Sequence, residues 1–240
     1  MRKKIYLIPG TMCNERLWSN LFPFLTTLIG NDYELVHVKI PKDMSFYQIS
    51  KFLNDYFKEE RVTIIGFSLG GYIATHFVTT FPQRVAKTFI IANSPCALYP
   101  VEEKQRQEIV EYVNRYGYKG MSKTRAAQLL DMKIGDETHL NHLLNLIIKM
   151  DAELGEAQFI SQMQNTSKRD DLFEPLAHSQ VQFVFYHSEQ DLLVNSTWLS
   201  ELAQENANCV VIRTLGCSHM LPLEKPKELA THIHQWLNTY

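Results

Sequence analysis

Ser68 stands in the pattern Gly66-Phe67-Ser68-Leu69-Gly70, after the β-branched run Val62 to Ile65 and before a helical stretch from Leu69 through Phe77 that Pro82 closes. A serine at such a strand-to-helix turn occupies a strained backbone position that pushes its hydroxyl out above the sheet. It is therefore a candidate nucleophile for acyl transfer. The flanking glycines fit the same turn, because a Cβ at either place would collide with the neighbouring strand or helix. The plainer alternative is a glycine-rich turn that binds phosphate or merely packs. Against it, Ser68 takes the place of the second glycine of G-x-G-x-x-G, and no Gly-Lys-Ser/Thr follows.

A nucleophilic serine needs a base, and the base needs an orienting acid. The run Val181 to Tyr186 reads as a buried strand, with Asp191 in the loop after it and a helix capped by Asn195 or Ser196 beyond. Cys209 to Leu215 reads as another strand, with His219 in the following loop, Gly216 to Pro222. Both residues thus fall at the carboxyl edge of a parallel sheet, where the sites of open α/β folds collect. His76 lies eight positions past Ser68 on one helix. That is about 12 Å along the axis, too far for a base, and a packed or capping role is expected. His187 follows the strand that leads to Asp191 and reads as orienting or structural. His139, His142, His232, His234 and the remaining histidines read as surface. Asp170 and Asp171 precede the strand at Val181 and so lie away from the site edge. Neither His-Glu-x-x-His nor a cysteine cluster marks a metal site, so no metal or other cofactor is expected.

Four pieces in this order make the chain resemble the α/β-hydrolase superfamily over nearly its whole length: Leu7 to Trp18, the turn around Ser68, Ser188 to Val194, and Gly216 to Pro226. The stretch Ser94-Pro95-Cys96 is also similar to the bacterial carboxylesterases that release pimeloyl methyl ester from its carrier protein. Two places depart from the family pattern. Pro9-Gly10 stands where His-Gly is usual, and the D-x-x-G-x-G after the second strand is missing around Pro41 to Ser45. The resemblance implies a triad of Ser68, Asp191 and His219. It also implies an oxyanion hole formed by the backbone N–H groups of Leu69 and Thr11, with Met12 the adjacent alternative and a plain turn role for Thr11 the bland one. The implied activity is cleavage of a carboxylic ester or thioester of a small or medium acyl group through an acyl-enzyme on Ser68. Two other readings stay open. In one, the triad acts as a base in a lyase, synthase or C–C bond hydrolase; in the other, the fold serves a ligand-binding protein without catalysis. A serine at the elbow, rather than an aspartate, argues against dehalogenase and epoxide-hydrolase chemistry.

The elements that must position these groups alternate along the chain. The expected fold class is α/β: an α/β-hydrolase fold whose mainly parallel sheet of about six strands has helices on both faces and an inserted helical cap. Further strands are expected at Lys4 to Ile8, Glu34 to Ile40 and Lys87 to Ala92. A first helix is expected from near Asn14, with Leu17, Leu21, Phe24, Leu25 and Leu28 on one stripe. A second is expected over 46–57, with Ser45 and Gln48 as a capping box. Between Cys96 and Ser179 the strand signal gives way to helical periods, as in Leu143, Ile147, Met150 and Leu154. Residues 97–179 are therefore expected to form a cap over the serine, within a single domain spanning 1–240.

Composition adds exclusions. With 45% hydrophobic residues in 240, the chain can bury one substantial core. A net charge of −2 and a pI near 6.5 leave no basic footprint for nucleic acid. Cys13, Cys96, Cys209 and Cys217 form no C-x-x-C, so reduced thiols and a cytoplasmic location are expected. The basic stretch from Met1 is followed by too short an apolar run for an export signal, and no segment approaches the roughly 20 apolar residues of a membrane helix. In the first half of the cap, Lys104, Arg106, Arg115, Lys119, Lys123 and Arg125 outweigh Glu108 and Glu111. Such a patch would steer a carboxylate or an acidic acyl carrier protein, although a solvated helix surface is the commoner reason for one. The expected partner is a small-molecule ester.

Overall fold

The computed structural model describes residues 2–239; Met1 and Tyr240, the ends of the expected 1–240 unit, lie outside them. Six strands form one parallel sheet in the order β2-β1-β3-β4-β5-β6. They are β1 (Lys3–Ile8), β2 (Tyr33–His37), β3 (Val62–Phe67), β4 (Val85–Ile91), β5 (Phe183–Ser188) and β6 (Cys209–Thr214). The expected α/β class and strand number are therefore found. The central strands are buried on both faces, β5 along its whole length, as a parallel sheet covered by helices requires.

Chain order and strand order together fix the site. From β1 the chain steps to β2 on one side, then crosses back to β3 on the other. Right-handed crossovers in opposite directions put their helices on opposite faces of the sheet. Accordingly α1 (Leu21–Ile29) packs against the C-terminal helix (Pro226–Thr239), while α2 (Phe46–Tyr56) packs against α3 (Leu69–Thr80). The strand order reverses between β1 and β3, where Ile8 pairs with Gly66, and such a switch point opens a crevice at the carboxyl ends. Ser68 and the loop after β1 flank that crevice.

Several boundaries differ from the sequence expectation for visible reasons. The second strand ends at His37 rather than Ile40, because its partner β1 runs out at Ile8 just before Pro9. The fifth strand runs on through His187 and Ser188, which pair with Arg213 and Thr214 of β6, so His187 lies within the strand and not after it. Asn14 caps a single 3-10 turn, Glu15–Trp18, and α1 starts only at Leu21. That break rephases the apolar stripe: Leu17, Leu21 and Leu25 are buried, whereas Phe24 and Leu28 are exposed. The capping box on α2 forms as expected, with Gln48 N–H donating to Ser45 Oγ and Ser45 N–H to Gln48 Oε1. Asn195, rather than Ser196, caps α8 (Ser196–Glu205) by accepting the Trp198 N–H at 3.0 Å.

Between β4 and β5 lie only helices among the described residues: α4 (Pro100–Tyr116), α5 (Lys123–Ala127), α6 (Glu137–Asn165) and α7 (Phe173–Ala177). The long α6 is broken at Gly155, whose φ of 71° is open to glycine at little cost. Its first half buries Leu143, Ile147 and Met150. Its second half turns three buried polar side chains, Gln158, Ser161 and Gln162, toward the loops after β1 and β2.

Candidate active site

The elbow has the geometry its sequence demands. Ser68 sits at φ 49°, ψ −118°, a strained conformation for a residue with a Cβ, and caps α3. A Cβ on Gly66 would lie 2.3 Å from the Gly70 carbonyl oxygen, and one on Gly70 would lie 2.2 Å from that of Ile8. Strand β3, helix α3 and strand β1 can therefore meet only where these side chains are absent. Ser68 N–H donates to the Ile91 carbonyl at 2.9 Å, which ties the turn to β4.

Loops from three strand ends then converge. His219 Nε2 lies 3.1 Å from Ser68 Oγ, and His219 Nδ1 lies 2.8 Å from Asp191 Oδ2. Both His219 and Asp191 are buried, so this chain of hydrogen bonds is sheltered from water on the side away from Ser68. The other Asp191 oxygen accepts the Leu193 N–H at 2.9 Å, which fixes the carboxylate plane. With Nδ1–H donated to Asp191, Nε2 presents its lone pair to the Ser68 hydroxyl. The sequence-predicted serine, acid and histidine are thus brought together. The competing groups are elsewhere. His76 Nδ1 bonds Ser50 Oγ at 2.8 Å and its ring stacks on Phe46; the Asp171 carboxylate accepts from Trp198 Nε1. His187 Nδ1 meets the Ser188 carbonyl at 2.8 Å, and burial pulls its pKa below the ordinary histidine value.

The two candidate oxyanion donors differ from their neighbour. Met12 N–H, in the loop after β1, already donates to Gln162 Oε1 at 2.9 Å. Thr11 N–H and Leu69 N–H meet no protein acceptor among the described residues; Thr11 lines the crevice beside Ser68, and Leu69 directly follows Ser68 in the chain. Leu69 opens α3, so its N–H also stands at the positive end of the helix dipole. Gly10 is required here as well: a Cβ would approach the Phe67 ring to 2.9 Å.

A sequence model of the alpha/beta hydrolase fold family matches residues 39–226. This chain belongs to that family. Over 101 residues, 39% of this chain and 18% of the relative, it is 27% identical to the biotin biosynthesis bifunctional protein BioHC of Teredinibacter turnerae. Over 100 residues, 38% of this chain and 37% of the relative, it is 27% identical to the pimeloyl-(acyl-carrier protein) methyl ester esterase of Wigglesworthia glossinidia brevipalpis. Each match spans well under half of the relative's length. A thermophilic esterase of Thermogutta terrifontis superposes with a TM-score of 0.80 at 14% identity, covering 98% of this chain and 89% of that one.

At one departure from the α/β-hydrolase pattern, α6 supplies hydrogen-bond partners. The loop around Pro41 to Ser45 lacks the family's glycines, and here the Asp43 N–H is held by Ser161 Oγ at 2.7 Å and the Ile40 carbonyl by Gln158 Nε2 at 3.2 Å. A cavity of about 500 Å³ opens from Ser68 and His219 toward the helices between β4 and β5. Its apolar wall includes Met121, Leu129, Ile147, Phe159 and Met163. Arg106 and Arg125, two members of the basic surface patch seen in the sequence, line this cavity. Glu102 and Glu103, in the first turn of α4, offset part of the positive charge of that stretch. Arg169 also lines the cavity. In the sequence it sits in the run Lys168-Arg169-Asp170-Asp171, which reads as ordinary solvated charge.

Proposed function

We propose that this α/β hydrolase cleaves a carboxylic ester or thioester of a small or medium acyl group through an acyl-enzyme on Ser68. The observation that carries the reading is the single imidazole of His219, in hydrogen-bond reach of both Ser68 Oγ and Asp191 Oδ2. In acylation, Ser68 Oγ bonds to the carbonyl carbon while Nε2 of His219 takes the hydroxyl proton. Asp191 holds the ring by Nδ1 and stabilises the imidazolium. The N–H groups of Thr11 and Leu69 receive the negative oxygen of the tetrahedral intermediate. Its collapse expels the alcohol or thiol, which takes the proton from Nε2. Water, deprotonated by the same nitrogen, then attacks the acyl carbon and releases the acid and Ser68.

The esterase names of the relative from Wigglesworthia and the structural neighbour from Thermogutta support the ester class. The test is turnover of short and medium p-nitrophenyl esters by Ser68→Ala, His219→Ala and Asp191→Asn. The first two should lose about 10,000-fold or more in kcat while keeping the wild-type circular dichroism. Near wild-type turnover in Ser68→Ala would contradict the mechanism.

A further inference from the structure

Three guanidinium groups, Arg106, Arg125 and Arg169, line the same cavity as Ser68, from α4, α5 and the stretch after α6. No carboxylate forms an ion pair with any of them among the described residues. Arg106 Nη1 is buried without a hydrogen-bond partner. Arg169 donates through Nε to the Thr166 carbonyl at 3.0 Å and lies over the Tyr72 ring at 5.3 Å, which fixes the plane of its fork. Its terminal nitrogens meet no protein acceptor among the described residues. Glu102, the one carboxylate on the cavity wall, is turned to the Tyr99 N–H at 3.0 Å. The charges also oppose one another: burial, then the neighbouring Arg106, lowers the Arg169 pKa to about 10, and burial lowers that of Arg106.

Arg106 and Arg169, desolvated and without an ion-pair partner, are costly to the fold, and an anion that fits a planar fork removes that cost. The apolar wall between them and Ser68 suits a short aliphatic chain and not a second charge. Resting on the ester-hydrolase reading, we infer that the substrate is a half-ester of a dicarboxylic acid, its acyl chain along Leu129, Ile147 and Phe159 and its free carboxylate on Arg106 and Arg169, with Arg125 beside them. These arginines are binding residues that set specificity; the bond-breaking groups remain those around Ser68.

The test compares kcat/KM for the p-nitrophenyl half-esters of glutarate and adipate with the neutral p-nitrophenyl esters of pentanoate and hexanoate. Wild type should favour the charged ester by about tenfold or more, as expected for a charge-assisted hydrogen-bond pair. Arg169→Gln should erase most of that ratio, chiefly through KM, and Arg169→Lys should restore part of it. Because the ratio is taken within each variant, loss of folded protein cancels, and Arg106→Gln provides a second, independent reading. Free glutarate should inhibit better than inorganic phosphate at equal concentration. An equal or neutral-favouring ratio in wild type, an unchanged ratio in both glutamine variants, or stronger inhibition by phosphate would overturn the inference while leaving the serine mechanism standing. Absence of turnover on all four esters would instead remove the hydrolase reading, and this inference with it.

Discussion

The carbonyl oxygen of Leu129 accepts the backbone N–H of His219 at 3.0 Å, so the loop carrying the base hangs from the helical segment between β4 and β5. The same oxygen takes the Met220 N–H at 3.2 Å. Two residues on, Asp131 Oδ2 accepts the Cys217 N–H at 3.2 Å, and Glu224 returns the tie by accepting the Asp131 N–H at 2.8 Å and the Ser218 hydroxyl. The turn between α5 and α6 therefore anchors the loop that carries the imidazole.

Asp131→Ala should show this. It removes the acceptors of the Cys217 and Lys133 N–H groups, and leaving such donors unpaired costs about 1–3 kcal/mol. We expect a lower urea midpoint and a fall in kcat with KM nearly unchanged, because the base is displaced while the cavity wall is kept. A variant with reduced stability and full kcat would mean that the loop holds its position without Asp131.

Gly70→Ala tests the elbow. Its Cβ would lie 2.2 Å from the Ile8 carbonyl oxygen, a backbone atom that cannot turn aside. Forced overpacking of this kind costs about 1–3 kcal/mol, and thermal unfolding should register it. Wild-type stability in this variant would show that α3 does not approach β1 as closely as described.

Much of this was legible in the sequence because it depends on local geometry. The elbow glycines, the Ser45-Gln48 box and the loop positions of Asp191 and His219 follow from short patterns next to apolar strands. The features that were not legible depend on contacts between distant segments. Nothing near Gln162 in the sequence marks it as the acceptor for Met12, 150 positions away. Arg106 looks like one of many charges on an amphipathic helix; only the packing of α4 against α6 puts it on the cavity wall. The overlong second strand was expected because Val38 and Ile40 are apolar, but they are buried by loop packing after β1 has ended.

Gln162→Leu isolates the loop after β1. The substitution leaves the Met12 N–H buried without its acceptor, and Met12 itself sits at a positive φ of 52° that only its surroundings maintain. Relaxation of that residue would move the adjacent Thr11 N–H. The expected result is a kcat loss of about tenfold or more with a small change in KM, since an oxyanion donor acts on the transition state. A loss confined to KM would remove Thr11 from the hole.

His187 supplies a pH dependence. Burial lowers its pKa, so below the ordinary value of about 6.5 the unfolded chain binds a proton that the folded chain refuses. Its contribution to stability is therefore present above that value and is lost as pH falls from about 6.5 toward the lowered folded value. His37 and His76 are shifted downward by burial and act in the same direction, while burial raises Glu224, whose contribution has the opposite sign. The comparison that isolates His187 is the urea midpoint at pH 7.5 and pH 5.5 for wild type and His187→Gln. Wild type should lose more stability on acidification than the variant; equal losses would show that His187 does not titrate as described.

Mass spectrometry after exposure to a fluorophosphonate, on wild type and Ser68→Ala verified as folded by circular dichroism, tests the serine mechanism at its first bond. One adduct per wild-type chain, mapped to the Ser68 peptide, absent from Ser68→Ala and matched by loss of ester turnover, is the predicted result. No adduct on folded wild-type protein, or the same adduct on both proteins, would mean that Ser68 is not the nucleophile.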